Sequence, residues 1–167
     1  MKTRVFAALL CALLLAFSLA LSEQAEQAEP RYTPDQIDLD LAPLSATVVY
    51  PQTFEMMMYP HEYEGKVVRI RGYLDHFLDG ETVYTACVVP DVTACCMQGI
   101  EFVWEGERAY PDDYPPVGKA LTVTGRLECY TLNDFDYIHM VDVDIVWGEE
   151  VLQLYSAPLP GDPAPAL

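Results

Sequence analysis

Leu121-Thr122-Val123-Thr124-Gly125-Arg126-Leu127-Glu128-Cys129 alternates apolar and polar side chains along its whole length, glycine standing on the apolar side. A period of two puts successive side chains on opposite faces of an extended chain, so this run predicts a strand with one buried face. The same pattern sets Val68, Ile70, Gly72 and Leu74 against Arg69, Arg71 and Tyr73, and Val141, Val143, Ile145 and Trp147 against Asp142, Asp144 and Val146. Val83 to Val89, and the series Ile100, Phe102, Trp104, supply two more strands. Asn133-Asp134 and Leu78-Asp79-Gly80-Glu81 are hairpin signals between neighbouring runs, so the sheet is expected to be antiparallel. Gly72 and Gly125 fall in mid-strand among the inward residues, where a small sheet bends to curl over itself. Together these features predict an all-β domain, a five-stranded, partly open barrel of the OB type with one short helix. A β-sandwich is the alternative, but five strands are few for two sheets.

Upstream of the first strand, Thr53 precedes Phe54-Glu55-Met56-Met57-Met58-Tyr59 and Pro60 follows. An N-cap residue, helix formers and a proline stop predict one or two helical turns. Consecutive methionines point to different faces of a helix, which suits packing on the barrel better than thioether ligation of copper.

The rest of the chain divides around this domain, expected at residues 51–150. Met1-Lys2-Thr3-Arg4, an apolar run from Val5 to about Leu19, and small residues before Glu23 read as a signal peptide over residues 1–22. That run is shorter than the ~20 residues of a spanning helix, so no stable membrane insertion is expected after cleavage. Residues 23–50, opening on Glu-Gln-Ala-Glu-Gln-Ala-Glu, read as a flexible acidic spacer. Residues 151–167, with four prolines among the last twelve positions, read as a tail. The predicted protein is therefore secreted or otherwise extracytoplasmic.

Net charge is −17, and −19 once Lys2 and Arg4 leave with the signal peptide. Such a surface repels phosphates and so excludes nucleic acid as a partner. Metal ions, small ligands or proteins are permitted, and solubility alone would also account for the charge.

The chemistry-bearing residues are the cysteines. Cys11 lies in the signal peptide, which leaves Cys87, Cys95, Cys96 and Cys129. In an exported protein an even number suggests two disulfides, although adjacent cysteines such as Cys95 and Cys96 seldom bond to each other. The strand phases suggest a second possibility. Cys129 is in step with Leu127 and Val123, His139 is in step with Val141 and Val143, and the hairpin brings the two together. Cys87 ends one strand, and Pro90 to Ala94 leads back to Cys95-Cys96 at the start of the next. Cys87, Cys95, Cys96, Cys129 and His139 are thus a candidate site for a thiophilic metal, with zinc as the cofactor to test. Buried free thiols are the third possibility. His61 and His76 read as ordinary surface histidines, and Asp112-Asp113 as a solvated loop.

No Gly-x-Ser-x-Gly, phosphate loop or His-Glu-x-x-His occurs. A Cys95 or Cys96 nucleophile served by His139 would lack a third, orienting group. The expected function is therefore a non-enzymatic binding domain holding a thiophilic metal. A disulfide-stabilised interaction module is the alternative, and a thiol-dependent enzyme is third.

Pro60-His61-Glu62-Tyr63-Glu64-Gly65-Lys66-Val67-Val68-Arg69-Ile70-Arg71-Gly72 resembles the opening of small bacterial OB-fold domains of the tRNA-anticodon-binding-like type. Thr93-Ala94-Cys95-Cys96, then Gly99-Ile100-Glu101-Phe102 and Val117 to Gly125, is similar to the exported domain of the bacterial YcgQ-like family. The resemblance covers about Pro60 to Trp147. It implies an OB fold, association with permeases and a link to metal homeostasis. The family often carries an acidic residue two positions after the second cysteine, where this chain has Met97-Gln98.

Overall fold

The computed structural model describes residues 29–151. The signal peptide, residues 23–28 of the spacer and residues 152–167 lie outside the described residues. Each alternating run is a strand: β2 (Val67–Asp79), β3 (Thr82–Pro90), β4 (Met97–Phe102), β5 (Lys119–Leu132) and β6 (Phe135–Val151). Their pairing order is β2-β3-β4-β6-β5, and β5 returns to β2 to close the ring. Every pairing in the ring is antiparallel except β4 with β6, which is parallel. This is an OB-type barrel, closed rather than partly open. Its weakest seam is the β4–β6 join, where only Glu101 with His139 and Phe102 with Met140 are in register.

The hairpin signals act as the residue types require. Asn133 and Asp134 both take positive φ, 52° and 65°, the backbone of a tight two-residue hairpin. At the bend in β2, Gly72 leaves no room for a side chain, since a Cβ there would meet the Val88 carbonyl oxygen and lie 2.8 Å from Cys87 Sγ. The inward residues Val68, Ile70, Leu74, Ile100, Phe102, Leu121, Val123, Leu127 and Met140 fill the barrel.

Two regions differ from expectation. The helix α1 spans Ala46–Met58, beginning well before Thr53 and running through Pro51. It is followed by the short helix α2 (Pro60–Tyr63). Val49, Thr53 and Met56 of α1 are buried, and Val49 and Met56 belong to the barrel core. The stretch expected as spacer is also folded from Arg31 onward. Leu39–Asp40 forms β1, pairing in parallel with Val68 and Arg69 of β2. Asp40 holds Arg69 through two contacts, Nε to Oδ1 at 2.9 Å and Nη2 to Oδ2 at 2.6 Å, and Leu41 is buried in the core. Acidic composition concealed a segment that clamps the edge of β2.

The last strand, β6, carries a phase change. Between Arg126↔Val141 and Thr124↔Asp144, β5 advances two residues while β6 advances three. That extra residue is a β-bulge, with Asp142 at φ 53°. A single inserted residue reverses which side chains face inward on either side of it. Ile138 and Met140 are buried before the bulge, and Val143, Ile145 and Trp147 pack on the core after it. Alternation counted back from Val143 therefore places His139 on the wrong face.

Candidate functional site

The five expected ligands do not meet at one point. Cys87, paired with Leu74 and Ile100, is sealed in the barrel core, where burial pushes its thiol up to about 12. Cys129 is paired with Ile138, whereas His139 is paired with Glu128, so the bulge leaves Cys129 and His139 on opposite faces of the β5–β6 ladder. His139 packs its ring against Tyr130, centroids 4.7 Å apart. Among the described residues, two groups could gather three ligand atoms: Asp91 with Cys95 and Cys96, and Cys129 with His61 and Glu64.

The first group is the loop joining β3 to β4. Asp91 N donates to Cys96 O at 2.9 Å and closes the loop just beyond the Pro90–Met97 pair. Ala94 takes φ 54° and turns the chain so that the neighbouring sulfurs of Cys95 and Cys96 approach to 3.6 Å. The Asp91 carboxylate organises the turn, accepting from Thr93 N at 3.1 Å, Thr93 Oγ1 at 2.9 Å and Cys95 N at 3.0 Å. Its Oδ2 lies 3.5 Å from Cys95 Sγ. Desolvation opposes ionisation of Asp91, but the hydrogen bonds from Thr93, Cys95 and Cys96 outweigh it and lower its pKa. The Cys96 thiol is raised, first by the hydrogen bond and charge of the Cys95 sulfur and more weakly by desolvation and the Asp91 charge.

This arrangement suits a cation better than a nucleophile. A reactive thiolate is made by electropositive surroundings, and here the nearest charge is negative. A soft cation would instead replace the thiol protons and gain two sulfurs and a carboxylate on one side. Composition and spacing pointed to the two cysteines. Asp91 is not among the expected ligands, although an aspartate four residues before a cysteine in a hairpin loop is the type that caps such a turn.

In the second group, desolvation first, and then the neighbouring Glu64 and Asp136 carboxylates, raise the Cys129 thiol to about 11. His61 Nε2 lies 2.9 Å from Asp136 Oδ2. The Asp136 hydrogen bond chiefly raises the His61 pKa, and Asp136 is correspondingly lowered. A raised histidine contributes stability that is complete below its unfolded value and is lost as pH rises through the folded value. A lowered aspartate contributes stability that is present above its unfolded value and lost as pH falls through the folded one. The pair should therefore help most between about pH 4 and 6.5. His61→Ala is expected to lower the urea midpoint more at pH 5.5 than at pH 8.5, and an equal effect at both would refute the pairing.

His76 also departs from the reading as a surface residue. It is buried, with its ring edge-on to Tyr114 at 5.0 Å and Tyr110 at 6.1 Å. No protein-family model, curated protein or solved structure matches the chain.

Proposed function

We propose that the protein is an exported, non-enzymatic OB-fold binding domain that holds a thiophilic metal ion on the β3–β4 loop. Asp91, Cys95 and Cys96 are the ligands. The observation that carries this reading is the pair of sulfurs 3.6 Å apart, with an ionised carboxylate 3.5 Å from one of them. Two thiolates suit Cu(I), and with the carboxylate and a water molecule they complete a tetrahedron for Zn²⁺. Both sulfurs are exposed, so an ion can reach them from solvent. Export is supported by the basic, apolar and small-residue order of residues 1–22.

Titration of the reduced protein with Zn²⁺ and with Cu(I) tests the proposal. One ion is expected to bind, releasing about two protons as both thiols ionise, with affinity rising as pH approaches the thiol range. Binding of neither ion would end the proposal. The two-disulfide alternative finds little geometric support, because all four described cysteines are free and Cys87 is enclosed in the core. It would be restored by a non-reduced mass four hydrogens below the reduced one.

A further inference from the structure

The outer wall of the barrel carries a second site, which does not depend on the thiol loop. On this face Phe77 is paired with Tyr84 across β2–β3, and Tyr130 with Tyr137 across β5–β6. These rings, with the carboxylates of Asp75 and Glu101, line a cavity of about 650 Å³. That volume lies within the range of small-molecule sites. Phe77 and Tyr137 are about half exposed, so their rings are open to a ligand from solvent.

The walls are held in place. Tyr130 stacks on Tyr137 at 5.4 Å with an interplanar angle of 21°, and it also packs against the His139 ring, centroids 4.7 Å apart. The Tyr130 hydroxyl donates to Glu101 Oε2 at 2.6 Å. A carboxylate accepts more than one hydrogen bond, so this contact orients Glu101 without exhausting it. His139, expected as a metal ligand, instead backs the aromatic wall.

We infer that this cavity binds a small organic ammonium ion with an apolar body. Aromatic faces attract cations, and quaternary ammonium groups are recognised by clusters of such rings. The lining includes the Glu101 carboxylate and neither lysine nor arginine, and the His139 imidazole beside it has its Nδ1 4.0 Å from Glu101 Oε1. A net charge of −17 favours the same sign of ligand and disfavours nucleotides, whose bases would otherwise stack here. A neutral sugar could also lie on the rings, but it would draw nothing from the Glu101 charge or from the negative field of the chain.

The test compares three probes on the reduced, metal-free protein by amide chemical-shift mapping: choline, its uncharged carbon isostere 3,3-dimethyl-1-butanol, and maltose. Choline is expected to shift the amides of Tyr84, Glu101 and Tyr137, and to bind at least roughly fivefold more tightly than the isostere. Tyr137→Ala, at an exposed position, should weaken choline by a similar factor and leave the other shifts of the protein in place. Equal binding of choline and the isostere would overturn the inference, as would tighter binding of maltose or no shifts in the groove with any probe. Because metal is absent throughout, none of these outcomes bears on the Asp91 loop.

Discussion

Serine at both Cys95 and Cys96 is expected to weaken binding of the thiophilic ion by at least roughly a hundredfold, about 2.7 kcal/mol. A hydroxyl does not ionise in the accessible range and is a hard donor, so the double variant removes both the charge and the softness that select the ion. The fold should barely notice the change. Both side chains are exposed, and substitutions at such positions usually alter stability by less than about 0.5 kcal/mol. The melting temperature of the metal-free protein should accordingly stay within about 2 °C. Asp91→Asn should cost less affinity than the cysteine changes, because it removes the charge but keeps an oxygen able to cap the turn. Cys87→Ala provides the contrast, lowering stability through the core while leaving ion affinity within about twofold. Full binding retained by the double serine variant would move the site to His61, Glu64 and Cys129, which are untouched by it.

Where the sequence could be read, and where it could not, follows from how far each signal reaches. Alternation depends only on the local pleat, so all five barrel strands and the Asn133-Asp134 turn were legible. The side on which a residue falls depends on the unbroken parity of the whole strand. One bulge at Asp142 was enough to separate His139 from Cys129, and nothing in Val141-Asp142-Val143 announces it. The bulge sits opposite Gly125, where a Cβ would lie 2.8 Å from Val143 Cγ1. Glycine was therefore a correct sign of a distortion, but not of its direction. The expected helix is shorter than α1 for a similar reason. Pro51 normally ends a helix by removing a donor, but burial of Val49, Thr53 and Met56 on either side of it holds this one together. In residues 31–45 the alternation of Ile37, Leu39 and Leu41 with Asp38 and Asp40 is too short to stand out beside the acidic stretch before it, yet Leu41 enters the core while Asp38 and Asp40 bind β2. The thiol loop needed both levels. Cys95 and Cys96 are conspicuous in the sequence, but their sulfurs share one side only because Ala94 turns the backbone and Asp91 fixes the turn.

Phe102→Ala is expected to destabilise the domain by about 3–5 kcal/mol, the usual cost of emptying a large aromatic site in a core. Phe102 is 1% exposed, lies against Trp104 at 5.3 Å and is paired with Met140. Against a typical total of about 5–15 kcal/mol, that loss is a large fraction, and it corresponds to a fall in melting temperature of roughly 10–20 °C. The location makes the effect more than a cavity. The ring closes across β4 and β6 through two residue pairs and the Val103 N to Met140 O bond of 2.9 Å, and Phe102 is in one of those pairs. Weakening it should let β4 and β6 part before the longer β5–β6 and β2–β3 ladders do. Amides around Met140 should then exchange with solvent faster than those of Val123, although both residues are fully buried in the native barrel. Glu101 and His139 form the other pair of the seam, so choline binding in the groove should fall with it. Ion binding should persist below the new melting temperature, because the thiol loop is anchored at the opposite end of β4, beside the Pro90–Met97 pair. Val146→Ala, at a position 68% exposed on the same strand as Met140, should change stability by less than about 0.5 kcal/mol. If Phe102→Ala instead melted like the wild type, or if Val123 exchanged as fast as Met140, the two-pair join would not be the weak point of the barrel.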